Sequence, residues 1–236
     1  MGVCFIEDRV VPNTLILVGI FGIQDPLRDE SRHAVYCTQN AGIVSRMITG
    51  DSIDTATYIS KSCGIVSSAS HRVVDGTTFR RKYQENAEYR EKNAADDPEF
   101  IEFITSLRVI ARCQPHDKVL LVNFLQKSMD RVVCVTGDGS NDGPALRTAT
   151  VGLAMGISGT DVAKYAADII LLDDNFTSLV RAVIWGRSIL NNIQKFCQFQ
   201  LTIACTILVT IFFTTIVHAR VPFTAIQLLY TNLIVD

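Results

Sequence analysis

The residues best suited to chemistry lie in one run near the middle of the chain, Thr136-Gly137-Asp138-Gly139-Ser140-Asn141-Asp142. The run follows an apolar stretch and precedes a stretch with helical spacing. Its carboxylates, Asp138 and Asp142, suit Mg²⁺, which takes one or two carboxylates together with phosphate oxygens and water. Its two glycines let the backbone approach a ligand closely. We therefore predict a Mg²⁺ site here, in which Asn141 orients the loop or contacts phosphate; the plainer interpretation is an ordinary Asp/Gly turn.

Three other polar segments have the same position after an apolar stretch. Thr49, Gly50 and Asp51 offer a hydroxyl and backbone N–H groups at the start of a predicted helix, which suits an anion. Lys118 begins another predicted helix and could place a positive charge beside a phosphoryl group. The segment 25–28, Asp-Pro-Leu-Arg, is interpreted as a turn that contacts the same centre or acts as a hinge. The alternatives are that Asp51 or its neighbour only caps a helix, and that Lys118 is a solvated surface charge.

The elements that must position these groups alternate between two patterns. Nearly continuous apolar runs are typical of strands in a parallel sheet that is covered on both faces. We predict such strands at 15–20, 43–48, 107–111, 131–135, 151–154 and 169–172. We predict helices at 30–36, 53–62, 117–128, 143–148 and 160–167. The pattern loosens between residues 64 and 102, and the highly charged segment 80–98 is interpreted as a solvated insertion that is helical in part; the plainer interpretation is a polar surface face.

This alternation predicts a doubly wound α/β domain with a parallel sheet over residues 1–175. In such sheets the carboxyl ends of the strands converge at one edge, where ligands bind. The four polar segments are therefore expected to meet there. A hydroxyl, a lysine and two carboxylates at one edge describe a phosphoryl-transfer site that uses Mg²⁺.

Composition excludes some classes of function. The 236 residues have a net charge of −2, with 22 basic and 24 acidic side chains, so the chain offers neither a nucleic-acid surface nor a polybasic membrane tether. The seven cysteines include no CxxC pair and are interpreted as reduced thiols in a cytosolic compartment. The start has no signal-peptide pattern. Both ends fall within apolar segments, which favours a fragment or a truncated product of a longer protein.

The character of the chain changes after residue 175. Residues 176–198 have helical spacing and are predicted to form a cytosolic stalk helix. Residues 199–217 are 19 residues with Gln200 as the only strongly polar member, close to the about 20 that a bilayer core requires. Pro222 interrupts the pattern, and residues 223–236 begin a second apolar segment. We predict a transmembrane helix and the start of another; the alternative is a buried helical hairpin in a soluble protein.

These residues resemble the P-type ATPases, whose phosphorylation domain has the haloacid-dehalogenase fold. The block that ends at Leu146 is similar to the TGDGxNDxPAL motif, 49–51 to the TGD motif and 25–28 to the DPxR hinge. Residues 155–164 and 173–176 continue the resemblance. It implies a candidate site formed by Thr49, Gly50, Asp51, Lys118, Thr136, Gly137, Asp138, Asn141 and Asp142. It also implies that Asp138 binds Mg²⁺, that Asp142 and Asn141 support the phosphate site, and that Lys118 neutralises phosphate.

The segment 192–202 is similar to the autoinhibited, plasma-membrane-type class of Ca²⁺-ATPases, particularly the plant kind. In that class the sixth transmembrane helix carries calcium ligands in an Asn-x-x-x-Asp pattern, which Asn232 and Asp236 match. At a spacing of four residues these two share one helix face. Their amide and carboxylate oxygens suit Ca²⁺, and polar groups within a membrane helix are costly unless they are functional.

The chain also departs from the family pattern. The DKTGT motif with the phosphorylated aspartate, the nucleotide-binding domain and the actuator domain with its TGE motif are not in these residues, and are expected to precede residue 1. Ala204 stands where an asparagine is expected, which bears on calcium affinity. Ser52 and Tyr165 are milder replacements.

We therefore predict a part of an ATP-driven calcium pump that is not competent alone, with Mg²⁺ as cofactor, ATP as substrate and Ca²⁺ as transported ion. Its partners would be the lipid bilayer, the missing pump domains and calmodulin through a regulatory segment outside these residues, but not nucleic acid. The phosphorylation domain would be cytosolic, on the plasma membrane, the vacuole or the endoplasmic reticulum. The alternative is a non-catalytic remnant or a regulatory membrane protein. A soluble Mg²⁺ phosphatase is disfavoured, because it needs its own DxD nucleophile and no membrane segment.

Overall fold

The computed structural model describes residues 2–5, 16–20, 27–93 and 95–218, together with positions 224, 226, 227, 229 and 230. The chain divides into two compact units, Met1–Thr177 and Ser178–Asp236. The first unit contains the strands and the short helices, and it holds all of the candidate site residues that the sequence predicts for phosphate and Mg²⁺. The second contains most of one long helix.

Eight strands form three sheets in the described residues. Strands β1 (Gly2–Phe5) and β2 (Ile16–Ile20) pair antiparallel. A parallel sheet has the order β3-β5-β4, and its strands are β3 (Met47–Ile48), β4 (Arg72–Asp75) and β5 (Leu107–Ala111). A second parallel sheet has the order β6-β7-β8, and its strands are β6 (Cys134–Gly137), β7 (Val151–Met155) and β8 (Ile169–Leu171). The predicted parallel arrangement is confirmed, but as two three-stranded sheets and with an antiparallel pair that the sequence did not predict.

The helices of the first unit alternate with the strands from β2 onward, except that two helices separate β4 from β5. They are α1 (Asp29–Asn40), α2 (Ile53–Cys63), α3 (Gly76–Asn93), α4 (Pro98–Ser106), α5 (Pro115–Lys127), α6 (Gly143–Thr148) and α7 (Asp161–Ala166). Helix α2 begins after Ser52, whose hydroxyl accepts a hydrogen bond from the Thr55 backbone N–H at 3.3 Å. The cap of this helix is therefore Ser52, which leaves Asp51 outside the helix and beside the strand end.

The highly charged segment 80–98 is mostly exposed and largely helical, in agreement with its interpretation as a solvated insertion. Residues that flank it belong to the core: Phe79, Phe100 and Phe103 are buried and pack against Leu107 of β5 and Phe124 of α5. Each buried aromatic ring stabilises the fold by roughly 1.5–3 kcal/mol. The charges between these rings concealed the buried face in the sequence.

Helix α8 (Phe176–His218) begins in the first unit and runs without a break through the predicted stalk and the predicted transmembrane segment. Among the described residues it is the one helix long and apolar enough to cross a membrane. The Thr202, Thr206, Thr210 and Thr214 hydroxyls each donate to the carbonyl four residues earlier, at 2.6–2.8 Å. These hydroxyls are thus satisfied within the helix, as an apolar environment requires.

Candidate functional site

The two parallel sheets contribute to one cleft in the first unit. The cleft is lined by Arg28, Ile48, Thr49, Gly50, Lys118, Thr136, Gly137, Asp138, Asp142, Met155, Ser158 and Asp174. Most of these residues follow the carboxyl ends of β3, β6, β7 and β8 or begin α5. The predicted convergence of the polar segments is therefore observed for seven of the nine candidate residues. The other two, Asp51 and Asn141, do not line the cleft, although both belong to loops that do.

Lys118 and Asp142 form an ion pair within the cleft. The Lys118 ammonium donates a hydrogen bond to Oδ1 of Asp142, and the two side chains are only 21% and 12% exposed. A half-buried ion pair of this kind compensates each charge for the loss of water. In the arrangement described here, the predicted phosphate-binding lysine and the predicted Mg²⁺ ligand therefore neutralise each other.

Gly137 makes room for this pair. A Cβ atom added to Gly137 would lie 2.6 Å from the Cβ and 2.7 Å from Oδ2 of Asp142, distances at which atoms overlap. The backbone at the end of β6 thus packs directly against the Asp142 side chain, and the glycine is required by close approach.

Asp138 differs from Asp142 in having a free carboxylate. Its side chain is exposed, and no group in the described part of the chain donates a hydrogen bond to it. Its backbone carbonyl accepts from the Thr160 N–H at 2.8 Å, which anchors the loop to the start of α7. A free, exposed carboxylate at the mouth of the cleft is available to a cation.

The carboxylates of the cleft can hold Mg²⁺ only together with water or phosphate oxygens. In the described ranges, no three His, Cys, Asp or Glu side chains cluster closely enough to hold a metal ion by themselves. Mg²⁺ does not need such a cluster, because it keeps several waters and combines one or two carboxylates with phosphate oxygens. Asp138 is free to supply such a carboxylate, and Asp142 could supply a second one only if its ion pair with Lys118 opened.

The loop after β3 is held by its own hydrogen bonds and by the end of β5. The Thr49 hydroxyl donates to Oδ2 of Asp51 at 2.9 Å and accepts from the Asp51 N–H at 3.1 Å. The Arg112 and Cys113 N–H groups donate to the Asp51 and Thr49 carbonyls at 2.9 and 3.0 Å. Asp51 thus orients Thr49 from outside the cleft, and Thr49 and the exposed Gly50 backbone line the cleft.

Asp174 is a residue of the cleft to which sequence reasoning gave no role. Its carboxylate accepts the Ile157 and Ser158 N–H groups at 2.9 and 2.6 Å, and its carbonyl accepts from Nη1 of Arg28 at 2.7 Å. These backbone hydrogen bonds, first that of Ile157, lower the pKa of Asp174 to about 2. The available signal was its position: like the predicted site residues, Asp174 follows a strand.

The start of α8 is attached to α1 beside this residue. The Asn175 side-chain amide donates to Oε2 of Glu30, and its carbonyl oxygen accepts the Thr177 N–H at 2.9 Å. The Thr177 hydroxyl lies 3.4 Å from the same glutamate oxygen. Asn175 therefore joins the first turn of the long helix to the helix that follows Arg28.

The predicted calcium ligands, Asn232 and Asp236, lie outside the described residues. Of the second predicted transmembrane segment, positions 226–227 and 229–230 are helical. Ala204 lies on α8, within the segment predicted to cross the membrane.

The chain is similar to known proteins along nearly its whole length, although no protein-family model matches it. It is 45% identical over 230 residues to "Calcium-transporting ATPase 2, plasma membrane-type" of Arabidopsis thaliana, covering 98% of this chain and 21% of that protein. It is 48% identical over 230 residues to "Calcium-transporting ATPase 3, plasma membrane-type" of Oryza sativa subsp. japonica, with the same two coverages. The chain thus spans about a fifth of the length of the curated relatives it matches.

A solved structure shares the fold. The crystal structure of a zinc-transporting PIB-type ATPase in its E2.Pi state superposes with a TM-score of 0.61 and 25% identity, over 88% of this chain and 27% of that one. A second crystal structure of a zinc-transporting PIB-type ATPase, in a different state, gives a TM-score of 0.57 and 26% identity over 82% of this chain and 24% of that one. Both similarities extend over most of this chain.

Proposed function

The chain belongs to the P-type ATPases, among which it is similar to plasma-membrane-type calcium-transporting members, and we propose that it forms part of an ATP-driven calcium pump. Its first unit supplies the Mg²⁺ and phosphate side of aspartyl-phosphate chemistry. The observation that carries the proposal is the cleft that gathers Thr49, Lys118, Asp138 and Asp142.

We assign a separate role in phosphoryl transfer to each polar residue of the cleft. Asp138 would hold Mg²⁺, which would supply positive charge to the transferring phosphoryl group. The Gly50 N–H would donate a hydrogen bond to the phosphoryl oxygens, and the Thr49 hydroxyl would do so once its proton leaves Oδ2 of Asp51. Lys118 would leave Asp142 to pair with the phosphoryl group, and Asp142 would then be available to the metal. In this exchange Lys118 and Asp142 would each keep a partner of opposite charge.

The phosphorylated aspartate is supplied by another part of the pump, because no Asp-Lys-Thr-Gly-Thr sequence occurs in the 236 residues. Each sheet ends at the cleft with a strand that has a single partner among the described residues: β3 pairs only with β5, and β6 only with β7. These free edges can accept a strand that brings the aspartate to the cleft. On this proposal the chain by itself is inactive.

The second unit contributes to the ion path. Helix α8 begins in the unit that holds the cleft and continues into the apolar segment, and we propose it as the element that couples the cleft to the ion path. Asn232 and Asp236 are proposed as calcium ligands. We place the cytosolic domain on the plasma membrane, as the names of the relatives indicate, or on the vacuole or the endoplasmic reticulum. Calmodulin binding is proposed through a segment outside these residues.

Calcium uptake by membrane vesicles tests this proposal. The chain replaces the corresponding 230 residues of the Arabidopsis relative, which gives a full-length chimeric pump. Vesicles that contain the chimera are expected to accumulate calcium when ATP and Mg²⁺ are present and to release it when an ionophore is added. Uptake of zinc but not of calcium would contradict the proposed ion. Absence of both ATP hydrolysis and uptake in a correctly inserted chimera would contradict the proposed function.

A further inference from the structure

Asp117 is a fully buried carboxylate that takes no part in the cleft. Its side chain is 0% exposed, and its Oδ2 accepts hydrogen bonds from Nη1 of Arg80 at 2.5 Å and from the Gln114 N–H at 2.8 Å. Within the described part of the chain, its Oδ1 has no hydrogen-bond partner. Burial of a carboxylate is costly unless a cation and hydrogen bonds compensate it. Arg80 is the cation that makes this burial tolerable.

The first residue of α3 packs closely against this carboxylate. A Cβ atom on Gly76, the first residue of α3, would lie 3.2 Å from Oδ2 of Asp117 and 2.7 Å from the Arg112 carbonyl oxygen. On the other side Sγ of Cys113 lies 3.6 Å from the same Oδ2. Burial, and then the charge of Asp117, raise the pKa of Cys113 to about 12, so this thiol stays neutral. The carboxylate is enclosed by backbone, a neutral thiol and one guanidinium.

Asp117 and Lys118 are consecutive residues in the first turn of α5, and each forms an ion pair with a different element. Asp117 is bound by Arg80 of α3, and Lys118 is bound by Asp142 in the loop after β6. Consecutive residues of a helix point about 100° apart, so one turn of helix carries both pairs. A displacement of this turn therefore moves the Lys118 ammonium within the cleft.

We propose that Arg80 is a positioning residue for phosphoryl transfer: its ion pair with Asp117 fixes the first turn of α5 and thereby the Lys118 ammonium. This inference rests on the proposed function of the cleft. Arg80 does not line the cleft and acts through Asp117. Its planar fork, at the end of a side chain that is 28% exposed, reaches the buried carboxylate from the rim of the core.

The test compares Arg80→Met with Arg81→Met in the chimeric pump. Arg81 is the matched control, because it is the next residue of α3, its side chain is 69% exposed and its partner, Glu85, is 3.8 Å away. We expect Arg80→Met to slow phosphoenzyme formation roughly 10- to 100-fold and to raise the concentration of inorganic phosphate needed for back phosphorylation. The calcium half-saturation is expected to stay unchanged, and Arg80→Lys to recover part of the rate. Arg81→Met is expected to match the unmodified chimera.

A double-mutant cycle separates positioning from a general loss of structure. If Arg80 acts through Lys118, Arg80→Met causes no further slowing in a Lys118→Met background. An equal slowing in both backgrounds, or an unmodified rate for Arg80→Met alone, would overturn the inference.

Acetylation of the Lys118 amine, followed by mass spectrometry, gives a readout that does not depend on activity. The paired lysine is expected to react several-fold faster in Arg80→Met than in the unmodified or Arg81→Met protein. Unchanged reactivity would overturn the positioning role even in an inactive chimera. Failure of the unmodified chimera to phosphorylate or transport would count against the proposed function alone.

Discussion

The Lys118 ammonium and the Asp142 carboxylate form an ion pair that joins the start of α5 to the loop after β6. Through this pair, the helix that follows β5 contacts the loop that holds Asp138. The pair neutralises two of the charges that line the cleft, and on the proposed function it opens when a phosphoryl group binds to Lys118. Stability and activity of the cleft therefore depend on the same two side chains in different ways, which mutations can separate.

Replacement of Lys118 by methionine should both destabilise the protein and slow phosphoenzyme formation strongly, to a residual rate that remains measurable. The substitution leaves Asp142 buried without its cation. We expect the free energy of unfolding to fall by about 2–3 kcal/mol, less than for a fully buried ion pair, because this pair is partly exposed. The double variant Lys118→Met/Asp142→Asn should recover most of the thermal stability, because no charge remains unpaired, but not the rate of phosphoenzyme formation. Thermal inactivation and phosphoenzyme assays on the two variants check this. Recovery of activity in the double variant would show that neither side chain is needed for chemistry.

Replacement of Gly137 by alanine should disturb the cleft without changing any charge. The new Cβ would overlap the Asp142 side chain, so the loop must shift and the half-saturating Mg²⁺ concentration should rise roughly tenfold. The measurement is the Mg²⁺ dependence of phosphoenzyme formation. Gly186→Ala is the control, since a Cβ on Gly186 meets no atom within 4 Å in the described residues. Equal Mg²⁺ dependence of the two variants would contradict the close approach.

The low pKa of Asp174 predicts how the first unit responds to acid. Backbone hydrogen bonds lower this pKa to about 2, below the usual value of about 3.9. The contribution of Asp174 to stability is therefore complete above about pH 4 and is lost as the pH falls through about 2. The free energy of unfolding, measured from neutral pH down to about pH 2, should fall more steeply below about pH 4 for the unmodified protein than for Asp174→Asn. Parallel curves for the two proteins would contradict this origin of the shift.

The sequence predicted the local parts of the site well. Helix α6 was predicted with its observed bounds, 143–148, because an apolar strand, a glycine loop and a helix follow each other directly. The edge at which Thr49, Lys118 and Asp138 meet followed from the rule that parallel strands end on one side.

The remaining features depend on contacts between distant residues. Arg80 and Asp117 are 37 residues apart, and no periodicity links them. Strand β4 has two apolar residues between Arg72 and Asp75, too few for a recognisable strand pattern. The charged residues along α3 concealed the buried face of that helix. The division into two parallel sheets likewise depends on pairing between strands that are far apart in the chain.

The role of Asp138 is the central claim, and one substitution tests it most directly. Asp138→Asn in the chimeric pump preserves the shape of the exposed side chain and removes the charge offered to Mg²⁺. Phosphoenzyme formed from ATP should fall at least about 100-fold, with calcium uptake lost in parallel. Asp130→Asn is the control, because Asp130 is exposed and has a φ of +48°, which asparagine tolerates. Phosphoenzyme and uptake at the level of this control would show that Asp138 does not hold the metal on which the proposed chemistry depends.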